Sequence, residues 1–373
     1  MELCIHQKKE WPKFKWDTNS IVTLLAKVRN LQGKITGKME SIGFDLQSEA
    51  VLETITIDVI KSTEIEGEIL NLEQVRSSVA RRLGFYIENE IPSERNVDGV
   101  VDMLVDATQN FNLNLTKERL FDWHAALFPT GRSGMYKIIV GDWRKDTTGP
   151  MQVVSGVMGK EKVHFEAPKS DLIDAEMKQF LNWYNKKQTL DPVLKAAISH
   201  LWFITIHPFE DGNGRIARAL TDQLLARADG MPQRYYSMSS QIRVERKQYY
   251  NTLEKTQQGG LEITDWLVWF LQCLLNALES SNVILEKVLH KHKFWNTHGV
   301  AIQNERQKVM LNKLLDNFNG KLTSSKWAKI TKCSNDTALR DIQDLIKKGI
   351  LKREIAGGRS TNYDLVTLMT SKI

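Results

Sequence analysis

His207 to Arg218 read HPFEDGNGRIAR, twelve positions that hold one histidine, two acidic residues, an asparagine between two glycines and two arginines. Folding alone rarely needs such a density of chemically capable side chains. The preceding text, PVLKAAISHLWFITIH, has the composition of a buried apolar helix, and Pro208 predicts its end because proline disfavours helical geometry in the residue before it. After Gly212 and Gly214, RIARALTDQLLARA resumes as a helix with Ile216, Leu220, Leu224 and Leu225 facing inward. A glycine-bearing turn that feeds a helix N-terminus leaves several backbone N–H groups unpaired and pointing the same way, which is an anion site.

The side chains agree with that backbone. Arg215 and Arg218 stand three apart on the new helix, share a face and can fork onto phosphate oxygens. Asp211 sits at the mouth of the turn, where one carboxylate together with phosphate oxygens holds a magnesium ion. Asn213 offers an amide to a phosphoryl oxygen, and His207 is the candidate general base. Plainer readings explain less. A helix-face metal pair of His207 and Asp211 is broken by Pro208; an Asp211–Arg215 ion pair leaves His207, Asn213 and both glycines without a role; and the spacing of a Walker-type phosphate loop is missing.

Around this stretch the chain is ordinary globular protein: 373 residues, 42% hydrophobic and 26% charged, long enough for two or three domains. The opening MELCIHQKKEWPKFKW lacks an apolar run and predicts no secretory signal. WLVWFLQCLLNAL, from Trp266, is interrupted by Gln272 and Asn276 and reads as a buried helix rather than a membrane span, so no membrane partner is expected. Cys4, Cys273 and Cys333 stand far apart with neither disulfide nor zinc spacing, which fits a reducing cytoplasmic setting. The net charge of +6 is uneven: from Gly320 onward 11 Lys+Arg face 5 Asp+Glu, so this tail carries the whole excess. That excess is either a solvated basic surface or the footprint of a polyanion partner.

Helical periodicity dominates. Asp17 and Asn19 are candidate N-caps for a helix whose apolar face is Ile21, Leu24, Leu25, Val28 and Leu31. A second helix runs through SEAVLETITIDVIKSTEIEGEIL and stops near Gly67, with further helices expected near 94–112, 117–127, 170–187, 192–206, 213–228, 243–257 and 262–289. Between Gly141 and Pro168 the segments QVVSG and KVHF, about Gly156 and Gly159, read as a β-hairpin, either a plain ribbon or an edge that receives an extended peptide. The tail reads as three helices and a basic hairpin about Gly357 and Gly358, with Leu339, Ile342, Leu345 and Ile346 as one apolar face. This order resembles a winged helix-turn-helix, with Arg340, Lys347, Arg353 and Arg359 available for phosphates or the surface serving protein docking.

HPFEDGNGRIAR matches the HPFx[DE]GNGRxxR signature of Fic-domain proteins position by position, and the likeness extends over about 95–290. The resemblance implies a mainly α fold: a helical region over 1–90, a Fic-type helical core with a β-hairpin flap over 91–290, and a winged helix-turn-helix over 300–373. It implies AMPylation, the transfer of AMP from ATP to a Ser, Thr or Tyr hydroxyl of a target protein and of the enzyme itself. His207 would deprotonate the hydroxyl and Asp211 would hold Mg2+. Asn213, with the backbone of Gly212 and Gly214, would cradle the α-phosphate, and Arg215 and Arg218 would bind the outer phosphates. Tyr250 and Gln257 resemble the residues that enclose the base, and Val153 and Val154 lie in the flap that aligns targets. KSTEIEGEIL contains the inhibitory pattern [ST]xxxE[GN] at Ser62 to Gly67, which implies that Glu66 occupies Arg218 and keeps ATP from a productive pose. Two other readings stay open: removal of AMP by the same site, and a DNA-binding regulator whose Fic core senses a nucleotide. A homodimer is also left open.

Overall fold

The computed structural model describes every residue except 1–2, 41–43, 88–89, 148, 156–161, 303, 316–317, 319, 355–360 and 367–373. Gly156, Gly159, Gly357, Gly358 and Arg359 therefore lie outside the described residues. The chain divides into two units, Met1–Ser281 and Asn282–Ile373. It is mainly α. The helices are α1 Thr18–Glu40, α2 Phe44–Ile65, α3 Leu72–Leu83, α4 Arg95–Gln109, α5 Lys117–Leu127, α6 Ile173–Asn185, α7 Pro192–Ile206, α8 Asn213–Asp229, α9 Met238–Val244, α10 Arg246–Gln257, α11 Thr264–His298, α12 Glu305–Leu315, α13 Ser324–Thr331 and α14 Asn335–Lys347. Among the described residues six short strands, β1 Arg132–Ser133, β2 Tyr136–Lys137, β3 Gln152–Ser155, β4 Lys162–Glu166, β5 Leu351–Arg353 and β6 Tyr363–Leu365, pair as three antiparallel two-stranded sheets. Among the described residues no helix is long and apolar enough to cross a membrane.

The first unit is built on α7 against α8. All of α7 from Val193 to Ile206 is buried, as its apolar composition predicts, and Asp191 caps its start by accepting the Val193 N–H at 2.8 Å. Along α8 the buried stripe includes Ile216, Leu220, Leu224 and Leu225. Helix α2 packs against α3, α9 and α8. A buried hydrogen bond joins it to the start of α9, where Asp58 of α2 accepts the Ser237 hydroxyl, and nearby Arg234 pairs with Asp222, one turn beyond Arg218 on α8. Burial and the nearby Asp222 push the Asp58 carboxyl up to about 7.

Several sequence expectations change here. The buried stripe of α1 is Ile21, Val28, Gln32, Ile35 and Met39, while Leu24, Leu25 and Leu31 are half-buried at its flank. Asn19 lies inside α1 and donates its own N–H to Asp17, so Asp17 alone is the N-terminal polar partner. The expected helix 243–257 is broken at Glu245, and α3 went unread because its apolar positions, Val75 and Val79, are few among charged neighbours. β3 and β4 form the expected hairpin, in register Val153↔Phe165 and Val154↔Val163, with an irregularity between Val153 and Val154.

The second unit has its own core of Phe294, Met310, Leu311, Trp327, Ile342 and Leu345 among others. On α14 the inward line is Ala338, Ile342 and Leu345, and Leu339 is 38% exposed; a 100° turn per residue takes 339 off the line through 338, 342 and 345.

Candidate functional site

The exit of α7 is held in an unusual backbone. His207 caps the helix in the left-handed region, φ 52° and ψ 58°, while its N–H still reaches the Phe203 carbonyl. A non-glycine residue in that region carries strain and needs outside support. The ring is oriented by its own helix: Nδ1 lies 3.3 Å from the Ile204 carbonyl, and since a carbonyl only accepts, Nδ1 carries the proton and Nε2 keeps its lone pair. Burial lowers the imidazole to about 4, so the ring is neutral at physiological pH.

The loop that follows is fastened at every residue type the sequence singled out. The side chain of Asn213 clasps Phe209, accepting its N–H at 3.0 Å and donating to its carbonyl at 2.8 Å. Asn213 thus shapes the loop instead of presenting its whole amide to a ligand. Asp211 accepts the Gly212 N–H at 2.6 Å and the Ser133 hydroxyl, and its side chain is 41% exposed. Gly212 is left-handed at φ 81°, and a Cβ there would fall 2.9 Å from the Phe128 ring. It begins α8 with no side-chain cap, so the first N–H groups of that helix are left for another acceptor.

Both arginines are engaged by the segment that ends α2. Arg218 is 2% exposed. Its Nε donates to the Ser62 hydroxyl at 2.9 Å, and Nη2 donates to the Ser62 carbonyl at 2.8 Å and to Glu66 at 2.7 Å. Its Nη1 is buried without a partner among the described residues. Gly214 leaves room for this: a Cβ on it would lie 2.2 Å from the Glu66 carboxylate and 3.2 Å from Arg218 Nη1. Arg215 lies over the Phe128 ring at 5.0 Å and donates to Glu68 at 3.3 Å, with its Nε buried and without a partner among the described residues. The two guanidiniums therefore retain buried donors that a polyanion would satisfy.

Tyr250 is half-buried under the Arg246 guanidinium, 5.0 Å from it, and Gln257 is buried with its amide donating to Thr205 at 3.2 Å. Val154 is 48% exposed on the hairpin and Val153 is half-buried. Sequence reasoning missed four supports. His124, lowered to about 4 by burial, accepts the Gly141 N–H at Nδ1 and so donates from Nε2 to the Asp211 carbonyl. It stacks on Phe209 with ring centroids 4.2 Å apart. Glu210 accepts the Ile139 N–H, Glu68 reaches Arg215, and Arg144 donates to the His207 carbonyl. His124 and Arg144 stand outside every motif, and although Glu210 and Glu68 lie within the quoted stretches, their spacing does not mark these partners, which only the fold brings in.

The helical body brings together an uncapped helix N-terminus, two arginines with buried donors that have no partner among the described residues, and a neutral histidine, a set of donors suited to an anion with a base beside it. The comparisons with known proteins agree on its kind. Residues 114–225 match the Fic/DOC family, so the chain carries a Fic domain, and residues 4–85 match a domain of unknown function, DUF4172. The chain is 27% identical over 212 residues to protein adenylyltransferase fic-1 of Caenorhabditis elegans, covering 56% of this chain and 38% of that protein. It is 28% identical over 208 residues to protein adenylyltransferase Fic of Drosophila mojavensis, covering 54% of this chain and 37% of that one. The chain thus spans well under half the length of these relatives. The crystal structure of a Fic family protein from Desulfovibrio desulfuricans G20 has the same fold, with a TM-score of 0.54 at 20% identity over 94% of this chain and 97% of that chain.

Proposed function

We propose that this protein is a self-inhibited protein adenylyltransferase that transfers AMP from ATP to a side-chain hydroxyl of a target protein. The observation that carries this reading is the geometry of the His207–Arg218 loop together with its closure by Glu66. His207 Nε2, with its lone pair free, accepts the proton of the incoming Ser, Thr or Tyr hydroxyl. The backbone N–H groups at the start of α8 receive the α-phosphate, and Arg218 Nη1 and Arg215 Nε have the spare donors that outer phosphates require. In-line displacement then releases pyrophosphate, with positioning and charge neutralisation supplying most of the rate.

The donor set fits a magnesium ion: Asp211 offers a half-exposed hard oxygen, and Mg2+ takes one or two protein carboxylates and completes its shell with phosphates and water. Such an ion, when bound, would neutralise phosphate charge. Among the described residues no group of three or more His, Cys, Asp or Glu converges as a separate metal cage, which also fits a substrate-borne ion.

Glu66 supports the inhibitory part of the reading. Its carboxylate holds Nη2 of the arginine that the γ-phosphate would need, with Ser62 bonded to the same guanidinium. Incubating the purified chain and its His207→Ala variant with labelled ATP, in lysate and alone, tests the whole reading. His207-dependent labelling of protein is the expected outcome, and labelling that survives the substitution overturns it.

The C-terminal unit supports a second, separate role as a winged helix on nucleic acid. On α14, Asp336, Arg340, Gln343 and Lys347 form one exposed stripe, and Arg340, Lys347, Lys329 and Lys332 pair with no carboxylate among the described residues. A band shift on duplex DNA that weakens steeply with salt and is lost in Arg340→Ala is the expected result. Equal retardation of the variant would return this surface to a solvated face.

A further inference from the structure

We propose that Arg144 is a positioning residue for His207, tying the helix exit that carries the base to the foot of the β3–β4 hairpin. This inference rests on the reading of His207 as the general base. Arg144 is 2% exposed, and each edge of its guanidinium holds a different segment. Nε donates to the His207 carbonyl at 2.7 Å, Nη2 donates to the Pro168 carbonyl, and Nη1 pairs with Asp146. Its backbone N–H donates to the Pro208 carbonyl at 2.9 Å. Asp146 in turn accepts the Ser170 N–H at 2.6 Å.

The placement matters because of what His207 lacks. Its left-handed backbone has no glycine to relax it, and two successive carbonyls, those of 207 and 208, are pinned by one residue. With the N–H of His207 on Phe203 and the ring Nδ1 on Ile204, the clamp on the C-terminal side completes the set that fixes where Nε2 points. Pro168 lies two residues beyond the end of β4, so the same guanidinium registers the hairpin against the base. A buried arginine with a single carboxylate partner is an expensive way to fill space, since an apolar side chain would do so without desolvating a charge. A forked donor that reaches two carbonyls and a carboxylate at once is what lysine or glutamine cannot reproduce.

The charged groups that face the imidazole are Arg144, Asp211 and Glu66. Arg144 favours the neutral ring and the two carboxylates favour the protonated one, so removing the guanidinium moves the His207 titration upward. The test uses the full chain as parent, Arg144→Gln and Arg144→Lys, with His207→Ala as control. The imidazole nitrogens are followed by NMR through a pH titration, and AMP transfer is measured against ATP and pH. In Arg144→Gln the His207 titration moves toward the ordinary histidine value and the single Nδ1–H tautomer gives way to a mixture. Transfer falls about 10²-fold in kcat with ATP KM changed by less than about threefold. Arg144→Lys keeps the buried charge beside Asp146, is the variant expected to fold if glutamine is not tolerated, and loses kcat while its titration stays low. A folded variant whose His207 titration, tautomer and kcat all equal the parent's overturns the inference. Loss of thermal stability with unchanged titration and tautomer also overturns it. The nitrogen spectra do not depend on turnover, so absence of His207-dependent transfer even in a chain released by Glu66→Gly would sink the adenylyltransferase reading alone.

Discussion

The Glu66 carboxylate lies 2.7 Å from Nη2 of Arg218, while the neighbouring Nη1 of the same guanidinium is buried with no partner among the described residues. One arginine is thus half committed to the chain's own N-terminal region and half in reserve. Glu66→Gly should release it and raise AMP transfer, including self-labelling, whereas Arg218→Ala should lower transfer and the double variant should stay inactive. Losing the carboxylate also leaves a buried cation less well compensated. The Glu66 side chain is 31% exposed, so the cost in unfolding free energy should be about 1–3 kcal/mol, below the roughly 3–5 of a fully buried pair. Labelled-AMP incorporation and denaturant melts of the three variants check both statements; a Glu66→Gly chain no faster than its parent refutes the brake.

Gly214 sits where a methyl group would strike the Glu66 carboxylate at 2.2 Å. Gly214→Ala should therefore displace Glu66 and also crowd the cradle at the start of α8. Added to Glu66→Gly, it should reduce transfer below that single variant. An unchanged rate in the double variant would mean that the space beside Gly214 is not used by nucleotide.

His207→Ala should abolish transfer, by about 10²–10⁴-fold, with ATP binding largely retained. The pH profile gives a second check. Burial lowers this imidazole from 6.5 to about 4, and only the neutral ring accepts a proton. Transfer by a Glu66→Gly chain should therefore hold as pH falls through 6.5 and fail only nearer 4. An acid limb at the ordinary histidine value would contradict the desolvated, neutral ring.

Val153 and Val154 lie on β3, whose outer edge pairs with no further strand among the described residues. Proline at either position should impair labelling of target proteins while sparing nucleotide binding, if the edge receives a target segment by strand addition. Undiminished target labelling by both variants would leave the hairpin as a plain ribbon.

Asp58 contributes a pH dependence of opposite sense. Its carboxyl is raised from 3.8 to about 7, so across that range the folded chain holds a proton that the unfolded chain has released. Its contribution to stability is full below 3.8 and is lost as pH rises toward 7. Asp58→Asn cannot ionise and should lose less stability than the parent between pH 5.5 and 7.5. Parallel thermal melts with the same pH slope would rule this out.

The sequence alone determined the helical class, the ends of α7 and α8 and the residue types gathered in the loop between them. Those follow from local signals: Pro208 after an apolar run, glycines before a new helix, and functional side chains within one turn of each other. It also paired Glu66 with Arg218 across more than 150 residues, through a resemblance and not through any local rule. Tertiary structure decided the rest. That His124 and Ser133 hold Asp211, that Glu68 reaches Arg215 and that Arg144 pins His207 are contacts between segments without common periodicity. A side chain's hydrogen-bond partner is set by which backbone the packed core brings within 3 Å of it, and a linear pattern of residue types carries no record of that distance.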